Sequence, residues 1–266
     1  MQSVCLLVVC SRVVPGFPLV VAANRDERLD RPAIPITVLR ERAPRILGGR
    51  DELAGGTWLA VNDRGVVAGL TNRPSVLGRD TSRRSRGELP LVLAAAESAD
   101  QAVSAFASKV RPSEYNSAWM LVGDRHSLHY IELDGTNLPA HRALHPGIHI
   151  LENLAIDASS TKVERARELV GDPTHLSVDC LRDRLAAMLA DHQVSLEDGS
   201  MQPLDAGSNS LRRPACVHGD SFGTRSSMIV LVPEDERPSS VYVADGRPCE
   251  VPFTDETDRW LAGSAR

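Results

Sequence analysis

The residues of this chain best suited to chemistry follow an apolar run near the N-terminus. Leu19–Ala23 leads directly into Asn24-Arg25-Asp26-Glu27, four consecutive strongly polar side chains. Guanidinium and carboxylate groups placed together can stabilise a nearby ionised group and shift its pKa. Two interpretations are open on composition alone, a charged site at the end of a strand or a solvated turn, and the turn is the simpler one.

Three histidines have a spacing that could hold a metal only on a helix. His141, His145 and His149 are four residues apart, so a helix would place all three imidazoles on one face. Pro146 and Gly147 lie within that span and would break such a helix. We therefore expect loop or surface histidines, because imidazole becomes a metal ligand only where several ligands converge.

Two smaller clusters give weaker signals. Cys216 and His218 are two residues apart and would share one face of a strand. A catalytic Cys–His pair also needs a third group to orient the ring, and no neighbour in the sequence qualifies. Arg83, Arg84 and Arg86 form a basic cluster, for which we predict a solvated loop.

The cysteine usage indicates reduced thiols. The five cysteines are odd in number, scattered and without a C-x-x-C pair: Cys5, Cys10, Cys180, Cys216 and Cys249. In a cytosolic protein this pattern argues for thiols rather than for a disulfide framework or a zinc site.

Length and composition predict one ordinary globular domain. The chain has 266 residues, 42% of them hydrophobic and 24% charged, and no linker or repeat divides residues 1–266. The net charge of -5 argues against nucleic acid as an obligatory partner, because phosphate binding needs a basic face. The longest apolar run, Val4–Cys10, is too short for a membrane span and follows no basic segment. We expect a cytoplasmic protein acting on a small molecule; its oligomeric state stays open.

Hydrophobic periodicity predicts hairpins interrupted by helices. The predicted strands are Cys5–Val9, Leu19–Ala23, Thr57–Val61, Val66–Thr71, Ala118–Val122, Leu128–Leu133, Ser227–Val232 and Ser240–Ala244. The predicted helices are two within Leu89–Val110, broken near Ser98, one begun by a capping box at Thr161 and Glu164, and one containing Leu181, Leu185, Met188 and Leu189. This order favours an α+β fold, in which helices pack outside antiparallel sheets.

Seven motifs in order resemble the NRDE family, which includes the transport and Golgi organization protein homologues. Besides Asn24-Arg25-Asp26-Glu27, they are Gly55-Gly56-Thr57-Trp58-Leu59, Leu70-Thr71-Asn72-Arg73, Ser85-Arg86-Gly87-Glu88-Leu89, Tyr115-Asn116, Lys162-Val163-Glu164-Arg165 and Gly223-Thr224-Arg225-Ser226-Ser227. Pro146-Gly147 and Glu152-Asn153 also fall where the family has similar pairs. The resemblance covers most of the chain and implies a single NRDE-type domain over residues 1–266.

The resemblance implies the N-terminal nucleophile hydrolase fold, a four-layer αββα sandwich of antiparallel sheets. In that fold a terminal cysteine supplies both the nucleophile and, through its α-amino group, the base. Carried over, Cys5 is the candidate nucleophile, Arg25 and Asp26 organise it, and Arg225 is a second cation near it. We expect Arg25 and Asp26 to be buried and paired near Cys5, within hydrogen-bond reach of each other, of Cys5 or of backbone groups. We expect Arg225 to reach the same cavity.

Two asparagines are candidates for stabilising an oxyanion. Asn153, or else Asn72, could donate an amide N–H to it. The implied activity is hydrolysis of a non-peptide linear amide C–N bond in a small or acylated substrate, without a cofactor. The alternative is a non-catalytic protein on the same fold that binds or transports haem or an acyl-lipid.

The position of Cys5 predicts that the mature chain begins there. Nineteen residues separate Cys5 from Asn24, the same interval as in the resembling family, where the cysteine is the second residue. Only two of the thirty basic residues are lysines, which indicates a GC-rich genome in which GTG is a frequent start codon. Initiation at the Val4 codon followed by removal of Met would give Cys5 the free amine that this chemistry requires.

Overall fold

A computed structural model describes residues 5–75, 78–156, 158–195, 201–203 and 214–261 of this protein. All five cysteines lie within these ranges, and none of them forms a disulfide. No helix in the described part of the chain combines the length and the apolar composition that a membrane crossing needs.

The strands, numbered in chain order, form two large antiparallel sheets. Sheet I has the order β10-β1-β2-β13-β14-β15. It contains β1 (Leu6–Ser11), β2 (Leu19–Arg28), β10 (Gly147–Leu151), β13 (Phe222–Val232), β14 (Ser240–Ala244) and β15 (Thr254–Asp255). Sheet II runs in sequence order through β3 (Ala33–Arg40), β4 (Ile46–Asp51), β5 (Leu59–Asn62), β6 (Val67–Asn72), β7 (Ala118–Gly123), β8 (Leu128–Leu133) and β9 (Ala140–Ala143). A separate hairpin joins β11 (Gln193–Ser195) to β12 (Met201–Pro203).

Helices cover the outer face of each sheet. Sheet II packs against α1 (Glu88–Ala94) and α2 (Ala99–Lys109), and sheet I packs against α3 (Thr161–Val170) and α4 (Val178–Leu189). Ser98 caps α2 by accepting a hydrogen bond from the Gln101 amide, which confirms the predicted break between the first two helices. The predicted four-layer αββα architecture is therefore confirmed.

Side chains along β1 and β2 of sheet I point alternately to two separate apolar layers of the core. Leu7, Val9 and Val21 point between the two sheets, while Leu6 and Val8 point towards α3 and α4. Successive side chains of a strand face opposite sides, so β1 and β2 each contribute to two apolar layers. The same alternation decides which polar residues of β2 can share a cavity.

β2 extends through Arg28, so the polar run Asn24–Glu27 is paired strand, which decides between the two open interpretations against the solvated turn. Two local predictions were wrong. The N-cap of α3 is Ser160, whose hydroxyl accepts from the Val163 amide, and not Thr161. Cys216 and His218 lie in an irregular segment before β13 rather than on a strand.

Candidate active site

The four polar residues of β2 point alternately to the two faces of sheet I. Arg25 and Glu27 line a cavity between the sheets. Asn24 and Asp26 face the helical layer, where Asp26 accepts a hydrogen bond from Thr224 Oγ1 at 2.6 Å. The strand pleat therefore gives neighbouring residues of one motif separate functions.

Asn24 connects sheet I to the helical layer. Its buried amide nitrogen donates to the carbonyl oxygens of Leu189, at the end of α4, and Ala215, at 2.9 and 2.8 Å. Its amide oxygen accepts from Ser227 Oγ at 2.6 Å. Buried polar groups are stable only when they are hydrogen-bonded, so Asn24 is suited to hold these segments together.

Asp26 lies opposite a buried lysine. Lys162 Nζ of α3 is 4.0 Å from Asp26 Oδ2, and the two side chains are 2% and 0% exposed. Arg25 and Asp26 are both buried, as expected, but they lie on opposite faces of sheet I and not beside each other. The reason is that consecutive strand residues point to opposite faces of the sheet.

Cys5 lies in the cavity on the inner face of sheet I. Cys5 is 5% exposed. It directly precedes β1, next to the Leu6–Asn24 pair of the β1–β2 ladder. The cavity has a volume of about 210 Å³ and is also lined by Arg25, Asn72 and Arg86. Cys5, Arg25 and Asn72, which the sequence singled out separately, are thus brought together.

Arg25 is held in the cavity wall by Asp51 of β4. Its Nη2 lies 2.9 Å from Asp51 Oδ2, and its buried Nη1 has no hydrogen-bond partner among the described residues. Burial raises the pKa of Asp51, but hydrogen bonds from Arg31 and the Ala54 amide outweigh it and hold that pKa below its usual value. Asp51 therefore remains ionised and orients two arginines.

The cavity lining is strongly cationic. It contains two carboxylates, Glu27 and Asp51, and six arginines, at positions 25, 31, 73, 79, 84 and 86. Arg86 donates to the Ser117 carbonyl at 3.0 Å. Burial and the nearby charge of Arg79 lower the pKa of Arg86 to about 10, against the opposite effect of Cys5 and Glu27. Arg86 is still a cation at neutral pH. Because it is half-buried in the cavity lining, the predicted solvated loop is wrong for this residue.

Two of the sequence motifs meet to form one wall. The Thr57 amide donates to the Gly87 carbonyl at 2.9 Å, joining the segment before β5 to the segment before α1. Both segments line the cavity through Thr57, Trp58 and Arg86. None of these three residues was predicted as a site residue, although all three belong to motifs that resemble the family.

The remaining predicted residues are not among the described residues that line the cavity. Asn153 follows β10 and is half-buried, and Thr71 Oγ1 donates to the adjacent Glu152 carbonyl at 2.8 Å. Arg225 lies at a bulge of β13, and its guanidinium donates to the Leu29 carbonyl. Arg225 is not among the described residues that line the Cys5 cavity, so the expectation of a shared cavity is wrong.

The αββα sandwich with a cavity-lining cysteine before its first strand defines a protein with an N-terminal nucleophile hydrolase-like fold. It is similar to the Caenorhabditis elegans ortholog of N-acylethanolamine-hydrolyzing acid amidase, with a TM-score of 0.54 and 13% identity over 88% of this chain and 98% of that one. It is also similar to a mutant of conjugated bile acid hydrolase from Clostridium perfringens. The TM-score is 0.53 and the identity is 9%, over 96% of this chain and 93% of that one. At such identities the likeness concerns the fold alone.

The chain belongs to the family described as Transport and Golgi organisation 2, whose profile matches residues 4–242. It is 28% identical to the Transport and Golgi organization protein 2 homolog of Bos taurus over 257 residues, which cover 83% of this chain and 84% of that protein. The Homo sapiens homolog is 27% identical over 242 residues, with the same coverage. The family resemblance inferred from the motifs is therefore confirmed.

Proposed function

We propose that this protein hydrolyses a linear amide C–N bond in a small, anionic substrate, with Cys5 as the nucleophile. The observation that carries the proposal is the position of Cys5 in one cavity with Arg25, Asn72 and Arg86. The two solved neighbours are named as an amidase and as a conjugated bile acid hydrolase, which agrees with hydrolysis.

The proposed reaction has two steps. The Cys5 thiolate attacks the amide carbonyl carbon, the C–N bond breaks, and the amine leaves with a proton while a thioester forms on Cys5. Water then attacks the thioester, releasing the carboxylic acid and restoring the thiol. Asn72 is the side chain proposed to donate an N–H to the oxyanion, a contribution of about 3–4 kcal/mol in comparable sites.

The base in this mechanism is the α-amino group of Cys5. An amine with a pKa near 8 can accept the thiol proton, whereas a peptide nitrogen cannot. The proposal therefore requires that the residues before Cys5 are removed or never made. Intact-mass measurement on protein from the native host tests this requirement directly, and a mature chain that retains residues 1–4 would contradict it.

The cavity charge indicates the substrate class. Arg86 has a backbone carbonyl as its hydrogen-bond partner, and Arg79 lies beside it on the same lining. A carboxylate, sulfonate or phosphate on the substrate would pair with these cations, as guanidinium groups favour such oxyanions. The six arginines suit an anionic group better than a long acyl chain.

An electrophilic amide or lactone probe tests the proposal. We expect acylation of one cysteine per chain, located at Cys5 by peptide mass spectrometry and lost in Cys5→Ala. The matched control is Cys180→Ser, because Cys180 is exposed on α4 outside the cavity. Asn72→Ala should slow acylation about a hundredfold. Equal labelling of Cys5→Ala and the wild type would overturn the proposal.

A haem carrier is the competing function, and the same cationic lining favours it. Arginines commonly pair with carboxylates, so they could meet the haem propionates, and Cys5 is the residue of the described lining suited to ligate iron. Adding haem would then give a Soret band that is lost in Cys5→Ala, and the electrophilic probe would leave Cys5 unmodified. Acylation without a Soret band supports the hydrolase.

A further inference from the structure

A second cluster of reactive side chains lies on the helical side of sheet I, apart from the Cys5 cavity. His192 follows α4, Cys216 and His218 precede β13, and Cys249 follows β14. One ligand atom from each of His192, His218 and Cys249 lies within 4.8 Å of the others. The chain therefore brings two imidazoles and a thiol together from three separate segments.

Cys216 adds a second thiol beside two members of this group, His218 and Cys249. Its Sγ lies 3.6 Å from Cys249 Sγ and 3.8 Å from His218 Nε2, and His218 Nε2 lies 3.2 Å from Cys249 Sγ. The rings of His192 and His218 have centroids 5.6 Å apart. Sequence reasoning found no third group near Cys216 and His218 because His192 and Cys249 are distant along the chain.

The separations among Cys216, His218 and Cys249 agree with three edges of a tetrahedral metal site. Zn–S bonds of about 2.3 Å and Zn–N bonds of about 2.0 Å at tetrahedral angles give S–S edges of about 3.8 Å and S–N edges of about 3.5 Å. The three observed distances between Cys216, His218 and Cys249 lie within a few tenths of an ångström of these values. Two thiolates and two imidazoles form a common ligand set for structural zinc.

The second nitrogen of each imidazole has a polar neighbour. His192 Nδ1 lies 3.4 Å from the Ala190 carbonyl oxygen, and His218 Nδ1 lies 3.7 Å from Glu250 Oε1. Carbonyl or carboxylate groups beside the non-ligating nitrogen are typical of metal-bound histidines, because they fix the tautomer and the ring orientation. In both residues this arrangement leaves Nε2 for a metal.

We propose that His192, Cys216, His218 and Cys249 bind one Zn²⁺ ion. Binding would replace the protons of the two thiols with two Zn–S bonds and release those protons to solvent. The ion would connect the end of α4 to the segments flanking β13 and β14. Asn24 already joins two of these regions through Leu189 and Ala215, so zinc would reinforce a connection that the fold makes.

Titration of the reduced, chelator-treated full-length protein with Co²⁺, a spectroscopic substitute for Zn²⁺, tests the site. We expect one equivalent to produce the intense visible bands of tetrahedral cobalt and a thiolate-to-cobalt charge-transfer band, and excess Zn²⁺ to abolish both. Zn²⁺ should also raise the melting temperature, because it binds the folded chain preferentially.

Single variants assign the ligands. Cys249→Ser and His218→Gln should each weaken Co²⁺ binding at least tenfold, whereas Cys180→Ser should bind as the wild type does. Cys249 is exposed, so its substitution should leave the fold intact, as circular dichroism can verify. An octahedral spectrum, unchanged affinity in Cys249→Ser, or a Cys216–Cys249 disulfide that forms in air despite added Zn²⁺ would overturn the proposal. Labelling of Cys5 provides an independent readout of the candidate active site.

Discussion

Gly56 and Gly87 pack backbone against backbone, so closely that a Cβ on Gly56 would lie 2.5 Å from the carbonyl carbon of Gly87. Real Cβ atoms do not approach a backbone atom so closely, and a backbone atom cannot rotate away. This contact sets the distance between two segments that carry Thr57, Trp58 and Arg86 into the cavity. The shape of the cavity wall therefore depends on the absence of a side chain at Gly56.

Gly56→Ala should destabilise the protein by about 1–3 kcal/mol, because overpacking forces the two segments apart. The same variant should change the rate at which a thiol reagent modifies Cys5. The matched control is Gly55→Asn, since Gly55 has open space around its Cβ position and a φ of 72°, which Asn tolerates. Denaturant unfolding measures the effect, and equal stability of both variants would contradict the packing argument.

Lys162→Met should be strongly destabilising. The substitution leaves the buried Asp26 carboxylate without its lysine partner at 4.0 Å, and loss of one member of a buried pair costs about 3–5 kcal/mol. Arg237→Met is the control, because the Arg237–Asp235 pair is exposed and such pairs contribute about 0–1 kcal/mol. If urea denaturation showed a similar loss of unfolding free energy in both variants, the buried pair would not stabilise the fold as we propose.

Asp51 should make stability dependent on pH in the acid range. Its pKa in the folded chain is held below the ordinary value of 3.8, so the unfolded chain binds the proton more readily. The resulting stabilisation is fully present above pH 3.8 and is lost as the pH falls through 3.8 and below. Asp51→Asn should be less stable than the wild type near pH 7, and the difference should shrink towards pH 3. A difference that is constant with pH would argue against this assignment.

Arg86 should select anionic reagents at Cys5. Iodoacetate and iodoacetamide differ mainly in charge, so the ratio of their alkylation rates, normalised to free cysteine, reports the local potential. We expect Arg86→Gln to reduce the preference for iodoacetate on the order of tenfold, equivalent to about 1.4 kcal/mol, and Arg86→Lys to retain most of it. Arg111→Gln is the control, because that side chain is 85% exposed and does not line the cavity. An unchanged ratio in Arg86→Gln would remove the support for an anionic substrate.

Much of the fold could be predicted from local patterns. The alternation in Leu128–Leu133 and the residues of Ser240–Ala244 predicted two strands with the observed bounds, and Ser98 marked the break between α1 and α2. Strands β3, β9 and β10 were not predicted, because many of their side chains are only half-buried or exposed and give no clear alternation. Strand β4 was not predicted either, although four of its six residues are buried. Short strands of this kind are stabilised by their neighbours in a sheet, which the local sequence does not specify.

The candidate site was predictable only in part. The motifs led to Cys5, Arg25 and Asn72, which do share a cavity, but they also suggested Asp26 and Arg225, which point elsewhere. The sequence did not show which residues of the polar run of β2 face each side of the sheet. The bulge of β13 beside Arg225 also had no signature in the sequence. Side-chain direction depends on strand register, and register is decided by long-range pairing.

The sequence by itself determined the class of fold and the family, and it marked Cys5 and the polar run of β2 as candidates for the site. Hydrophobic periodicity and ordered motifs are properties of the sequence, so they can be recognised before any tertiary contact is known. Only the tertiary structure decided that Arg25 lines the cavity of Cys5 while Asp26 faces Lys162, and that Arg86 enters this cavity. It also decided that His218 lies near His192 and that both His218 and Cys216 lie near Cys249. Each of these contacts joins residues distant in the chain, or separates neighbours to opposite faces of a strand, and the packing of sheets and helices is what places them.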